Sequence, residues 1–232
     1  MCGFRPTGRL HLGHYFSVIL PGQQGADVLV ANYHAPEEQN TSQSVATLRR
    51  FGVQNIRLQK DVFDAELYFR LLVLAKMGDL GRMTQFKSCA DDRRTAHLLT
   101  YPVLMAHDVA GYNEVMVGED QHQHLQYARK LLHRCNRRFQ TTYPIPVANL
   151  MGGRVKDLRE PDKKMSKSSP PGCVFLDDSP DDVRLKLRKA TATEAGLENL
   201  HFLYAHFVGG PLPQQNKELK DRLAEALVER LK

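Results

Sequence analysis

Apolar residues along the 232-residue chain recur at two different spacings. Ala26-Asp27-Val28-Leu29-Val30-Ala31 is a short apolar run, the pattern of a strand buried on both faces of a parallel sheet. Val53–Leu58 alternates and reads as a strand, Val115-Met116-Val117 as another, Val174-Phe175-Leu176 as a short last one, and Met1–Phe4 as the end of a first strand. Between these the spacing turns helical. His14–Leu20 reads as a helix ended by Pro21-Gly22. Thr41–Phe51 reads as a helix capped by Thr41 or Ser42 and stopped by Gly52. Asp64–Lys76 carries Leu67, Leu71, Leu72 and Leu74 with Phe69 on the flank, an apolar stripe wide enough to be buried or to meet another subunit. Thr95–Ala110 is a second apolar helix, which Pro102 is expected to break. Gly118 opens a helix that reaches about Arg138, and Pro144 with Pro146 marks a loop. From residue 181 onward only helical spacing remains, at Asp182–Ala190, Leu197–Phe207 and Lys217–Lys232.

Alternating strands and helices followed by helices alone predict an α/β fold, a doubly wound parallel sheet with a small C-terminal helical appendage. The expected division is a catalytic-type domain over 1–180 with a helical insertion at about 61–112, and a helical region over 181–232. No apolar run is long enough for a transmembrane helix. Met1-Cys2-Gly3-Phe4 runs straight into Arg5-Pro6 with no visible signal peptide, so a cytoplasmic protein is the default expectation. The four cysteines are scattered and form no CxxC pair, which implies neither a zinc site nor a disulfide framework. A net charge of +6 favours a polyanionic partner.

Two stretches carry candidate chemistry. Lys163-Lys164-Met165-Ser166-Lys167-Ser168 places three lysines and two serines in six residues, followed by Pro170-Pro171-Gly172. Neither period fits it, so it is a loop, and ammonium groups on a loop suit a polyphosphate. Alone it is equally a solvated basic loop. Near the other end, Gly8-Arg9-Leu10-His11-Leu12-Gly13-His14 puts two histidines and a glycine at a helix start, where backbone approaches a ligand closely and anions bind. His34 follows the C-terminal end of a predicted strand, where open α/β sheets bind ligands.

His11-Leu12-Gly13-His14 resembles the HIGH signature of class I aminoacyl-tRNA synthetases, and Lys164-Met165-Ser166-Lys167-Ser168 matches their KMSKS signature letter for letter. The stretches Arg82–Lys87, Tyr101–Asp108, Val117–Gln121, and Asn199-Leu200 with Tyr204, in that order, make the whole chain similar to the tryptophanyl-tRNA synthetase family. The resemblance implies ATP-dependent activation of L-tryptophan and its transfer to tRNA(Trp), with ATP and Mg2+ in the reaction. His11, His14, Lys164 and Lys167 are then the catalytic residues. Arg5, Thr7, Gly13, His14, Gly118, Asp120, Gln121, Val155, Met165, Ser166 and Ser168 join the lysines around ATP, with Arg154 and Val155 along the adenine. Arg5 stands where the family generally carries glutamine. His34, Tyr101, Met105, Asp108, Val115, Val117 and Gln121 are the implied tryptophan residues.

The residues agree with that specificity independently. Indole offers one polar group, a donor-only N–H, so its pocket needs one acceptor among apolar walls. Met105 and Asp108 are three apart on one helix face, and Asp108 is the expected acceptor. Met1 or Cys2 is expected to line the pocket where the family usually has an aromatic. The plain alternative is that Met105 and Val117 are core residues and that Glu119 and Asp120 only answer the helix dipole. Arg82, Gln85 and Lys87 are implied tRNA contacts, and a homodimer through the 64–76 helix is expected. The region after 181 is shorter than the family's anticodon-contacting region, so recognition through the acceptor stem is expected. Two rival readings of the same residues are a non-catalytic tRNA-binding paralogue and an adenylate-forming enzyme with another acyl acceptor.

Overall fold

The computed structural model describes residues 1–35, 40–150 and 155–232. Strands β1 (Cys2–Phe4), β2 (Val28–Val30) and β3 (Ile56–Leu58) pair in parallel in the order β1-β2-β3, with Cys2 opposite Val28 and Val28 opposite Ile56. Strands β4 (Glu114–Val117) and β5 (Val147–Leu150) form a second parallel pair. Met1 joins the two: its ammonium donates to Glu114 O at 2.9 Å and its carbonyl accepts from Met116 N at 2.8 Å. The strands therefore run β3-β2-β1-β4-β5 across one surface, and the chain reverses its direction of travel between β1 and β4. Such a switch point leaves a crevice at the strand ends.

The first helix is longer than expected. It is built from α1 (Leu12–His14), a widened π segment (Tyr15–Ile19) and α2 (Leu20–Gln23), so Pro21 and Gly22 lie inside it. Leu20 N reaches back to Tyr15 O, and this wide turn accommodates the proline that lacks an N–H. Gly22 is not a stop. A Cβ there would lie 2.8 Å from Val53 Cγ1 and 2.9 Å from Val28 Cγ2, so glycine lets the helix press onto the sheet. Gly25, at φ +93°, follows the true end.

Helix α3 (Thr41–Arg50) begins at the expected residue, but Asn40 and not Thr41 or Ser42 holds its cap position, and Gly52 (φ +78°) follows it as expected. After β3 come α4 (Gln59–Val62), α5 (Ala65–Leu74), α6 (Met77–Leu80), α7 (Thr84–Lys87) and α8 (Ala96–Val109). Asp64 caps α5 by accepting from Leu67 N at 3.1 Å, and Thr95 caps α8 through Leu98 N. Pro102 does not break α8. Pro102, Val103, Leu104, Ala106 and Val109 are all buried, and that packing outweighs one missing hydrogen bond. Helix α9 (His122–Phe139) follows β4 after a single turn over Glu119–Gln121. Strand β5 falls where the prolines suggested only a loop. It is short, and Val147 stays 60% exposed, so it carries no buried-strand pattern.

Val174–Leu176 is not a regular strand. It pairs instead with the segment before α1: Leu12 N donates to Val174 O at 3.0 Å and Leu176 N to Leu10 O at 2.9 Å, around an antiparallel bridge between His11 and Phe175. Helices α10 (Pro180–Arg188), α11 (Glu194–Phe207) and α12 (Asn216–Leu231) finish the chain. Leu219, Leu223, Leu227 and Leu231 of α12 share one hydrophobic cluster with Phe4, Leu12, Tyr15 and Ile19, so the core does not divide at residue 180. A second cluster joins α5, α8, α9 and β4. Leu67 and Leu71 of α5 belong to it, while Phe69, Val73 and Met77, spaced by four, are 60%, 80% and 69% exposed.

Candidate active site

The start of α1 builds a reciprocal cap. His11 is extended (φ −132°, ψ 174°), and its Nδ1 accepts from Gly13 N at 3.0 Å. His14 Nδ1 accepts from His11 N at 3.2 Å, and the two rings meet edge to face at 4.1 Å. With both Nδ1 atoms used as acceptors, each neutral ring carries its proton on Nε2. Gly13 is required here, since a Cβ would sit 2.7 Å from His11 Cε1. Burial, reinforced by Lys167 and Lys164, pushes His11 down to about 4; burial, then His11 and the same lysines, hold His14 well below the ordinary range. The histidines are therefore neutral hydrogen-bond donors, and the positive charge of the site belongs to the lysines.

The basic loop is pinned at two points. Met165 and Leu158 are buried, Met165 N donates to Val155 O, and Asp157 N donates to Lys163 O, both at 2.9 Å. Asp157 accepts from Arg159 N and Glu160 N while packing against Gly172, where a Cβ would come within 1.7 Å of Asp157 Oδ1. Beyond Met165 the loop turns outward, and Ser166 and Ser168 share a 3.0 Å hydroxyl contact. Lys167 Nζ reaches Thr7, donating to its carbonyl and, at 3.3 Å, to its hydroxyl. Lys164 Nζ lies 4.0 Å from Asp120. The two lysines thus rest on opposite borders of the α1 start.

A cavity of about 310 Å3 opens at the β1/β4 switch point. Arg5, His14, Gly118, Asp120, Gln121 and Lys164 line it, as do His34, Tyr101, Met105, Asp108, Val115 and Val117. The structure therefore gathers both predicted groups around one space. His11, Thr7, Gly13, Ser166, Lys167 and Ser168 are not among its lining residues, and the Val155 and Met165 side chains lie in the core. A Cβ on Gly118 would meet Asp120 Oδ1 at 2.6 Å and push that carboxylate aside. Arg154 lies outside the described residues.

At the inner end, Asp108 is 6% exposed and held by three donors. His34 Nε2 lies 2.9 Å from Oδ2, Gln59 Nε2 is 2.8 Å from both oxygens, and His107 Nδ1 is 3.1 Å from Oδ1. Burial pushes this carboxyl up, but the hydrogen bonds from His107, His34 and Gln59 outweigh it and hold it below the ordinary carboxylate range. Tyr101 meets His34 edge to face with centroids 4.2 Å apart, and Gln121 is oriented by His124 Nδ1 at 3.0 Å.

Several neighbours escaped the sequence reading. Phe4 and Leu29 also line the cavity, Phe4 beside His14; of the two residues expected in place of an aromatic, Met1 lines the cavity whereas Cys2 is buried against Val18. Gln59 had a usable signal, because it follows the C-terminal end of β3 as His34 follows β2. His107 had none beyond standing next to Asp108. Of the implied tRNA residues, Gln85 and Lys87 lie on α7, which docks on α9 through Thr84 N and Gln123 Oε1 at 2.9 Å. Arg82 pairs with Asp79 at 2.6 Å, a carboxylate that Lys130 and Arg134 also share at 3.0 and 3.6 Å.

Comparison with known proteins agrees with this geometry. Residues 31–231 match the family model for tRNA synthetases class I (W and Y), and the chain belongs to that family. Within it, the chain belongs to the tryptophan–tRNA ligases. It is 36% identical to the tryptophan–tRNA ligase of Mycoplasma genitalium, over 82% of this chain and 64% of that protein. It is 33% identical to that of Caldanaerobacter subterraneus subsp. tengcongensis, over 99% of this chain and 84% of the other. The tryptophanyl-tRNA synthetase structure from Mycoplasma pneumoniae superposes with a TM-score of 0.83 at 30% identity, covering 99% of this chain and 84% of that one. Against the first of these relatives the chain spans just under two thirds of its length. Among the described residues, no helix is long and apolar enough to cross a membrane.

The depressed histidines set a pH dependence. An ordinary imidazole titrates near 6.5, and His11 does so near 4 when folded. The unfolded chain therefore binds protons that the folded chain refuses, so this contribution is complete above pH 6.5 and is lost as pH falls towards 4. Urea unfolding should show the midpoint falling between pH 7 and pH 5, with a flatter profile in His11→Gln.

Proposed function

We propose that the protein activates L-tryptophan with ATP and transfers it to tRNA(Trp), using the residues gathered around the switch-point cavity. The carrying observation is that one cavity joins two unlike ends. One has neutral histidine donors and lysines; the other has apolar walls and a buried ionised acceptor. In the first step a carboxylate oxygen of tryptophan attacks the α-phosphorus of ATP, and the bond to pyrophosphate breaks. In the second, a ribose hydroxyl of the tRNA 3′-terminal adenosine attacks the adenylate carbonyl, releasing AMP and a proton. Such chemistry needs positioning and charge neutralisation rather than a covalent nucleophile.

Lys164 and Lys167 take the charge of the leaving pyrophosphate, and the Nε2–H groups of His11 and His14 meet the phosphates. Thr7, Gly13, Ser166 and Ser168 border that path. Arg5, Gly118, Asp120 and Gln121 face the nucleotide and the substrate's polar end. Val155 and Met165 fix the loop from behind. Among the described residues no three His, Cys, Asp or Glu side chains converge on a metal site, and Mg2+ fits here as the companion of ATP, its oxygen ligands drawn chiefly from the phosphates. When bound it adds charge neutralisation to that of the lysines.

For tryptophan, Met105, Val115 and Val117 form the apolar wall, with His34 and Tyr101 at the ring edge and amino group. Asp108 accepts from the indole N–H. Three donors already address its carboxylate through four contacts, two on each oxygen, and Gln59 spends a single nitrogen on both oxygens, so the indole N–H takes the position that Gln59 gives up when it bonds one oxygen alone. An analogue without the N–H leaves that acceptor unmet, which is the basis of strong rejection.

The exposed Phe69 and Val73 of α5, with exposed Met77 at the start of α6, support a twofold homodimer through this part of the chain. For tRNA, the three cations around Asp79 leave net positive charge next to α7, in reach of phosphates that position a nucleic acid without reading it. Arg82, Gln85 and Lys87 then serve the acceptor stem. Helices α10–α12 bury their apolar faces on the catalytic core, and recognition is expected to depend little on the anticodon.

Three measurements check this reading. Lys167→Ala should slow tryptophan-dependent ATP–pyrophosphate exchange by at least one to two orders of magnitude, the loss of a transition-state charge contact of about 2–4 kcal/mol, with tryptophan binding unchanged. Wild-type exchange in that variant would remove the loop from the mechanism. Light scattering at micromolar concentration should report a dimer, and Val73→Asp should give a monomer. Charging of one tRNA body bearing the tryptophan anticodon, a stop-codon anticodon and an unrelated one should proceed at similar rates. A hundredfold preference, about 2.7 kcal/mol, would show anticodon reading.

A further inference from the structure

The buried carboxylate at the inner end of the cavity is connected outward by a residue that does not line the cavity. His107 Nε2 lies 2.9 Å from the backbone N of Asp64, the residue that caps α5. A backbone N–H only donates, so Nε2 is an acceptor and the ring proton of the neutral imidazole is on Nδ1. That proton points at the other partner, Asp108 Oδ1, 3.1 Å away. The ring is buried and stacked on Phe63 at 4.6 Å, and Phe63 stacks in turn on Tyr68 of α5 at 5.4 Å. Both nitrogens and one ring face are therefore committed, and only one tautomer satisfies them.

We propose that His107 is a specificity-determining positioning residue. In this reading it ties Asp108 to the start of α5 and keeps the carboxylate ionised and aimed, so that it accepts from the indole N–H. The inference rests on the reading of Asp108 as that acceptor. Its physical basis is the difference between the two forms of a carboxyl group. Ionised, it only accepts; protonated, one oxygen donates and competes with the substrate N–H. A buried carboxylate stays ionised through its donors, and losing one of three shifts the balance towards the protonated form. The other two cannot replace His107 in direction. His34 reaches only Oδ2, and Gln59 spans both oxygens while its own carbonyl accepts from Tyr33 N at 2.7 Å. Without His107, Oδ1 is held by Gln59 alone, and the carboxylate loses its link to α5.

The test compares exchange kinetics with tryptophan and with an analogue carrying sulfur in place of the indole N–H. In His107→Ala the preference for tryptophan over the sulfur analogue should fall by about tenfold or more, since an acceptor no longer fixed discriminates less. The KM for ATP should not change. His107→Gln retains an amide donor and should recover part of the preference; thermal unfolding of both variants identifies any that do not fold, and His107→Gln then carries the test. Asp108→Ala, which has no acceptor, separates the two ideas. Preference lost in Asp108→Ala but intact in His107→Ala and His107→Gln overturns the role of His107 and leaves Asp108 as the acceptor. Preference intact in Asp108→Ala overturns the acceptor assignment itself, and with it this proposal. An equal loss for tryptophan and ATP in the His107 variants assigns the residue to folding alone and also overturns it.

Discussion

The site depends on a short antiparallel pairing between two segments that lie far apart in sequence. Leu12 N to Val174 O and Leu176 N to Leu10 O hold the chain just before the histidine pair against the chain just after the lysine loop. Backbone hydrogen bonds buried in a core are costly to break, so this junction sets the spacing between the histidines and the root of the loop. Gly172 and Asp157 pin the loop from below, and buried Met165 plugs it. Beyond Met165 the run that carries Lys167 is held by side-chain contacts, Lys167 to Thr7 and Ser166 to Ser168. The arrangement separates a buried backbone base from charged side chains at the surface of the site.

The second constraint is electrostatic. An ionised group at the closed end of the cavity is unfavourable unless its oxygens are met by donors. Asp108 is met by residues from three places: His34 after β2, Gln59 after β3 and His107 on α8 itself. The acceptor is therefore not a property of one helix. It exists because strands at the switch point bring their ends to the same helix face, and His107 extends the connection to α5.

The C-terminal helices belong to the same account. Arg230 of α12 donates to the Tyr15 hydroxyl at 2.9 Å, one residue beyond His14, and the α12 leucines pack in the cluster that holds Leu12 and Ile19. Tyr15 and Phe16 stack with His206 and Phe207 of α11. These helices buttress the histidine-bearing helix from behind, whatever surface they offer elsewhere.

The sequence by itself determined the class of fold, most helices, the three strands with a clear apolar pattern and the short motifs at each end of the site. Those features are local: a period of two or 3.6, a glycine where a side chain has no room, a loop made of lysine and proline. The resemblance to a known family pointed to Tyr101, Gly118, Asp120 and Gln121, and the chemistry of an indole pointed independently to Met105, Asp108, Val115 and Val117. The sequence reading went astray where tertiary contacts override local preference. Pro21, Gly22 and Pro102 lie inside helices because a widened turn, a close helix–sheet contact and a buried face compensate for them. Val147–Leu150 becomes a strand because β4 offers a partner, and Val174–Leu176 pairs with residues before α1 instead of entering the sheet. The remaining decisions belonged to the structure alone. Which ring nitrogens of His11, His14 and His107 are acceptors, why Asp108 stays ionised, and how far Lys164 and Lys167 rest from the histidines all depend on distances between residues remote in sequence. No local pattern encodes those distances; they appear only when the strands and helices have packed.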